Sequence, residues 1–336
     1  MIFFGAKPIA NLPPSGPLWG WNWKKTMSES RKYRLITRSD MDGLVCATLI
    51  RHLGLADEIL FAHPKDMQDR KIAVGPNDII TNLPYSPGAH LCIDHHLSET
   101  LRSPRRCDHV IDPQAPSAAR VVFNHFGGFQ RFPKSFEAMM AAVDRADSGS
   151  FTLEEVLRPR EWALLSFIMD GRTGLGRFKD FRISHDQLMR DLIGYCGRLS
   201  IEEIMQLPDV RERVETYFSY EALFKAQLQD HARVDKNLVL LDLRKVDPIY
   251  PGNRFLLYAL YPQCNISIRA IPGPLADKTV FAVGKSIFNR TAKTNVGALM
   301  LAYGGGGHEA VGTCQVDDQR AEEVLQELTA VITRDG

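Results

Sequence analysis

Short apolar runs alternate with helix-period segments from Tyr33 onward, and this alternation constrains the fold more than any other feature. Tyr33–Thr37, Ile59–Ala62, Asp78–Thr81 and Ala89–Ile93 are brief and bounded by Pro, Gly or Asn, which suits strands. Between them, Gly43–Leu53 brings Val45, Cys46, Leu49, Ile50 and Leu53 to one helical face, with Gly54 as the stop. Ser117–Phe126 and Phe136–Val143 are helical in the same sense, the first ended by Gly127-Gly128. Strands separated by helices must cross over to pair, so the spacing predicts a doubly wound, mainly parallel α/β sheet. Such sheets place their sites at the carboxyl ends of their strands.

Residues 152–232 are mostly helical in character, with Val156–Met169 and Val210–His231 as the longest periodic segments. The texture then changes. Asn237–Leu243, Phe255–Leu260, Asn265–Ala270 and Thr279–Gly284 are strand-like runs between Pro/Gly turns. A helix over Thr294–Tyr303, a strand over Val311–Val316 and a closing helix over Gln319–Ile332 complete a smaller α/β domain. The expected organisation is a domain over 31–190, a helical connector over 191–235 and a second domain over 236–333. Residues 1–26 hold Trp19, Trp21 and Trp23 but no helical period, and are expected to be a disordered extension ahead of Met27.

A formal charge of +1 argues against a generic nucleic-acid coat, which needs a concentrated basic surface. A short anionic substrate needs only a few local arginines. Six scattered cysteines without a C-x-x-C pair exclude a zinc ribbon and point to a reducing cytoplasm. No stretch reaches the roughly 20 apolar residues of a membrane span. A homodimer is compatible with these features.

Chemistry concentrates in three places. Leu91–Ile93 delivers Asp94, His95 and His96 to one strand end. Asp40 and Asp42 lie between a strand and a helix. Asp42 there is either an N-cap or a ligand, and Asp40, two residues earlier, has no capping role. Paired carboxylates beside imidazoles suit a hard divalent ion such as Mn2+. Asp147, in Asp147-Ser148-Gly149, reads alone as a turn after the preceding helix, with Asp144 as a competing carboxylate. Gly304–Gly307 followed by His308 is either a plain loop or a backbone nest for an anion. Arg290 is either solvated or a bidentate phosphate contact.

In this order the motifs resemble those of the DHH phosphoesterase superfamily with its DHH-associated carboxyl-terminal domain, over residues 33–333. The branch they most resemble is the exopolyphosphatase-like and oligoribonuclease-like one. The resemblance implies a dinuclear Mn2+ site in the first domain and substrate reading by the second. It makes Asp40, Asp42, Asp94, His95 and Asp147 the metal-site set, and Gly305, Gly306, Gly307, His308 and Arg290 the substrate contacts. Two positions depart from the pattern: Arg38 stands where relatives carry a histidine, and Asn82 where they carry a bridging aspartate. Both departures strike the same metal, so Arg38, paired with Asp40, is expected in place of one cation, with one or two ions bound in all.

The expected function is metal-dependent hydrolysis of a phosphoester or phosphoanhydride in a small phosphorylated substrate: a short nucleic acid, a nucleoside bisphosphate or polyphosphate. His96 and Arg38 are the expected catalytic contacts to the phosphoryl group. The alternative is a non-catalytic nucleotide- or polyphosphate-binding protein that keeps its clamp while its metal site has degraded.

Overall fold

The computed structural model describes residues 32–102, 106–273 and 277–336; the extension expected over 1–26 lies outside the described residues. Strands β1 (Tyr33–Thr37), β2 (Ala56–Phe61), β3 (Asp78–Thr81), β4 (Leu91–Asp94) and β5 (His109–Ile111) form a sheet in the order β2-β1-β3-β4-β5. Every pairing in it is parallel, as the strand–helix alternation predicts. Burial explains the apolar runs: all four residues of β3 are buried. The chain leaves β1 toward β2 and returns on the other side at β3, so the direction of winding reverses there. The loops after β1, β3 and β4 therefore open on one crevice.

Helix Met41–His52 lies against this sheet and is buried from Met41 to Ile50, with Gly43 among the buried residues. The glycine is required: a Cβ at position 43 would lie 1.9 Å from the carbonyl oxygen of Arg38. The helix packs beneath helices Ala118–His125, Glu137–Ser148 and His185–Cys196. Their core continues through Leu188, Leu192, Ile201, Ile204, Val210 and Tyr217, so much of the segment read as a connector contributes to the first lobe.

The second lobe is a mixed sheet of β6 (Ala232–Asp235), β7 (Leu238–Asp242), β8 (Ile266–Pro272), β9 (Lys278–Lys285), β10 (Gly306–Gly307) and β11 (Val311–Asp317), ordered β10-β11-β9-β8-β7-β6. Only β7 and β8 pair in parallel. The closing helix Asp318–Asp335 covers it with Ala321, Val324, Leu325, Leu328 and Ile332. All six cysteines are unpaired and five are buried. Among the described residues, no helix is long and apolar enough to cross a membrane.

Four local expectations need correction. Phe255–Leu260 is not a strand; Leu256–Leu260 is helical. Phe255 and Tyr258 pack into the first lobe's core while Leu256 and Leu257 join another, so burial on all sides erases the periodicity. Val156–Met169 breaks at Pro159 into Leu153–Leu157 and Glu161–Met169. Val210–His231 is interrupted at Tyr220, between Pro208–Ser219 and Glu221–His231. The helix expected to end at Val143 runs to Ser148, closed by Gly149 with φ 61°.

Candidate active site

The cap of helix Met41–His52 is Asp40 and not Asp42, because the helix begins earlier than its apolar residues suggest. Asp40 Oδ1 accepts from Gly43 N at 2.9 Å and from Asn82 Nδ2 at 3.0 Å. Its Oδ2 lies 3.0 Å from Arg38 Nε. Arg38 and Asn82, the two departures from the family pattern, thus meet on one carboxylate and neutralise it. Asn82 is buried and holds φ 56°, a left-handed conformation that asparagine tolerates.

Asp42 sits in the first turn of the same helix, 2% exposed. Ala118 N donates to its Oδ2 at 2.9 Å and Ala119 N to its Oδ1 at 2.7 Å, so a helix amino terminus aims at the carboxylate. That helix is capped by Ser117, whose hydroxyl donates to Asp144 at 2.7 Å. Asp144 also holds Arg120, which removes it from competition with Asp147.

His95 follows β4. Its Nδ1 lies 3.1 Å from Ala115 O, which requires the proton on Nδ1 and leaves Nε2 for the cluster. Nε2 stands 3.0 Å from Asp147 Oδ2 and 3.9 Å from Asp42 Oδ2. It is buried and lacks an aligned hydrogen bond. Asp147 comes from the last turn of helix Glu137–Ser148, not from a turn beyond it. The candidate ligand atoms of Asp42, His95 and Asp147 lie within 4.8 Å of one another.

Two carboxylates and an imidazole nitrogen aimed between them fit a divalent cation by their chemistry. The electrostatics agree. Burial, followed by the Asp147 charge, pushes the Asp42 carboxyl up to about 7. Burial works against a charged His95, yet the neighbouring Asp147 and Asp42 outweigh it and carry the imidazole up to about 10. The cluster holds more negative charge than its own donors satisfy, and a proton or a metal ion relieves it.

Asp94 is placed differently. It is 1% exposed, and its Oδ1 lies 2.7 Å from His96 Nδ1. The contact orients the His96 ring and leaves Nε2 as the nitrogen not engaged by Asp94. Asp94 Oδ2 is buried without a partner. His308, from the second lobe, stacks on His96 at 4.7 Å between ring centroids and 29° between planes. Burial and the neighbouring His96 and His95 charges push His308 down to about 4, so the stacked ring is neutral.

The glycine run is a strand partner rather than an open nest along its whole length. Gly306 and Gly307 pair with β11. A Cβ on Gly305 would meet Thr313 O at 2.1 Å and one on Gly307 would meet Val311 O at 2.2 Å, whereas Gly306 has open space. Arg290 donates from Nη2 to Gly149 O at 3.2 Å and approaches Ser150 Oγ at 3.5 Å. It crosses between the lobes to the carboxyl end of the helix that carries Asp147.

Three residues of the recess escape sequence reasoning. Asp170, Arg172 and Arg254 line it together with Asp40, Asp42 and Asp147. Burial raises the Asp170 carboxyl, but Arg172 and Arg254 outweigh this and hold it well below its ordinary value. Asp170-Gly171-Arg172 looks like an ordinary turn, and Arg254 is supplied by the other lobe.

No family model and no curated protein sequence matches the chain. Among solved structures, it is similar to the pGpG-specific phosphodiesterase PggH of Vibrio cholerae, with 55% identity and a TM-score of 0.77, covering 91% of this chain and 100% of that one. RecJ of Thermus thermophilus, solved with Mn2+, shares the fold at 13% identity and TM-score 0.54, over 93% of this chain and 53% of RecJ. CDC45 of Entamoeba histolytica does so at 8% identity and TM-score 0.50, over 90% and 95%. A relative more than half identical across its whole length is itself a phosphodiesterase, which sets aside the binding-only alternative. Together with the motifs converging on one sheet edge, it establishes that the chain belongs to the DHH phosphoesterase superfamily and is a phosphoesterase, with Asp42, His95 and Asp147 grouped as a candidate metal centre.

Proposed function

We propose that the protein hydrolyses the internal phosphodiester of a short guanine oligonucleotide of the pGpG type. The full-length relative with 55% identity, a pGpG-specific phosphodiesterase, carries this reading. Asp42, His95 and Asp147 would hold a single divalent ion, Mn2+ being the first candidate for this oxygen-rich, mixed donor set. When bound, such an ion lowers the pKa of water and polarises a phosphoryl oxygen.

The chain's own groups do the rest. His95 is kept in the ligating tautomer by Ala115 O. His96, oriented by Asp94, presents Nε2 toward the phosphoryl group or the leaving oxygen. Arg38, held by Asp40 of the recess, supplies a fixed positive charge beside it. Asn82 replaces a bridging charge with a hydrogen-bond donor to Asp40, so Arg38, Asp40 and Asn82 form a neutral group in place of a second ion. His308 lies against His96 and brings the second lobe to the site.

The test is release of GMP from pGpG by protein stripped of metal and reloaded with Mn2+, with metal content measured in parallel. Folded, metal-loaded protein that leaves pGpG intact refutes the proposal. Equivalent turnover of pyrophosphate-linked substrates would move the substrate class instead.

A further inference from the structure

The reaction just proposed uses the carboxylates and imidazoles of the recess and gives no work to another group in its lining. There Asp170 caps the end of helix Glu161–Met169. Arg172 grips it, with Nε 2.7 and 3.0 Å from the two carboxylate oxygens. Arg254 approaches the same carboxylate from the second lobe, its Nε 3.5 Å from Oδ2. That nitrogen is buried and has no hydrogen-bond partner. The guanidinium lies 4.1 Å from the centroid of the Phe255 ring. Two guanidinium charges against one carboxylate leave one positive charge uncompensated in this group.

A purely structural role accounts for Arg172 better than for Arg254. Buried donors in folded proteins are paired, and an arginine placed for packing brings its fork to acceptors. Arg254 instead stacks its guanidinium on Phe255, with Nε lacking a hydrogen bond, in the wall of the recess that contains Asp42 and Asp147. Arg172 keeps 52% of its side chain exposed and also feels the Asp40 and Asp147 charges. The recess thus has an anionic group suited to a cation and, in the same lining, a cationic group suited to an anion.

We propose that Arg172 and Arg254 form a second anion subsite, which takes a terminal, non-scissile phosphate of the substrate while the scissile one lies at Asp42, His95 and Asp147. A ligand phosphorylated at its end matches both groups. One ending in a hydroxyl leaves the surplus positive charge of Arg172 and Arg254 uncompensated, which costs the complex affinity. The inference rests on the proposed function and narrows its substrate class to short oligonucleotides that carry a terminal phosphate.

The experiment compares pGpG with GpG, which lacks the terminal phosphate. Binding to the full chain is measured by calorimetry under chelator, where turnover is stopped, and kcat/KM is then measured with Mn2+. Wild type is expected to favour pGpG by roughly ten- to a hundredfold, the range of a charge-assisted contact. Arg254→Gln and Arg172→Gln should each collapse that preference toward unity, and Arg254→Lys should retain part of it. If Arg254→Gln melts early, Arg172→Gln decides, since its side chain is half exposed. Equal affinity of wild type for the two dinucleotides overturns the subsite, as does a preference that survives both glutamine changes. Failure of the proposed reaction looks different: the binding preference would persist while neither dinucleotide is cleaved.

Discussion

Replacing Arg38 with alanine removes the guanidinium whose Nε stands 3.0 Å from Asp40 Oδ2. At an effective dielectric of about 20, two charges roughly 4 Å apart attract by about 4 kcal/mol before desolvation and entropy are counted. The arginine side chain is 37% exposed and Asp40 keeps Gly43 N and Asn82 Nδ2, so most of that attraction cancels. A net stability loss of about 1 kcal/mol or less is expected, a few degrees in Tm. The catalytic cost should be far larger, on the order of a hundred- to a thousandfold in kcat, as for loss of one preorganised charge-stabilising donor. Metal affinity should move the other way. Arg38 lowers the Asp147 carboxyl electrostatically, so its removal cannot weaken a cation there and should leave binding equal or tighter. GMP release and Mn2+ titration calorimetry on one preparation separate these effects. The double change Arg38→His with Asn82→Asp should raise the stoichiometry from about one ion to about two, with Asn82→Asp alone as control. Affinity for Mn2+ falling in step with kcat, unchanged kcat in Arg38→Ala, or two ions already bound in wild type would each refute the reasoning.

Other expectations follow from the same geometry. His95→Ala should abolish metal binding by elemental analysis while the thermal transition persists, since the imidazole serves the cluster more than the core. Gly43→Ala should destabilise the fold by more than about 2 kcal/mol in chemical denaturation, because its Cβ would lie 1.9 Å from the backbone oxygen of Arg38 and 3.0 Å from Thr37 Oγ1. Between about pH 7 and about pH 10 the stability of metal-free protein should fall as pH rises: Asp42, lifted to about 7, and His95, lifted to about 10, both hold protons more tightly folded than unfolded. Their contribution is complete below the unfolded values and lost through the folded ones. The rise in Tm on adding Mn2+ should accordingly be greater at about pH 8 than at about pH 6, as protons cease to compete.

What the sequence makes legible is whatever is local. Strand β3 shows as an apolar run because all four of its residues are buried. Asp94, His95 and His96 stand out because they are adjacent at a strand end. Asp42 and Asp147 gain meaning only through the order of the family's motifs. The cap at Asp40 depends on where the helix begins to within one residue, and apolar spacing does not resolve that. Asp170, Arg172 and Arg254 lie beyond reach, since a turn of one lobe and a loop of the other create that group only after folding. The same holds for Leu256–Leu260, whose helical form is set by two cores closing around it.

The placement of Phe255 and Tyr258 bears on how substrate enters. Both belong to the connection between β7 and β8, Tyr258 within its short helix, yet they are buried in the core of the first lobe. Gly252 N donates to Thr173 O at 3.0 Å and Arg177 Nη2 to Ile249 O at 2.7 Å along the same seam. Swinging the lobes apart would uncover Phe255 and the first-lobe side of Tyr258, whose hydroxyl stays with Ser267 and Gly284 of the second lobe, at up to about 1.5–3 kcal/mol each. An opened state lying about 3–6 kcal/mol above the closed one is populated at roughly one molecule in a hundred to one in twenty thousand. Separation of the lobes is therefore a rare excursion, and the recess is held assembled before any ligand arrives rather than built around it.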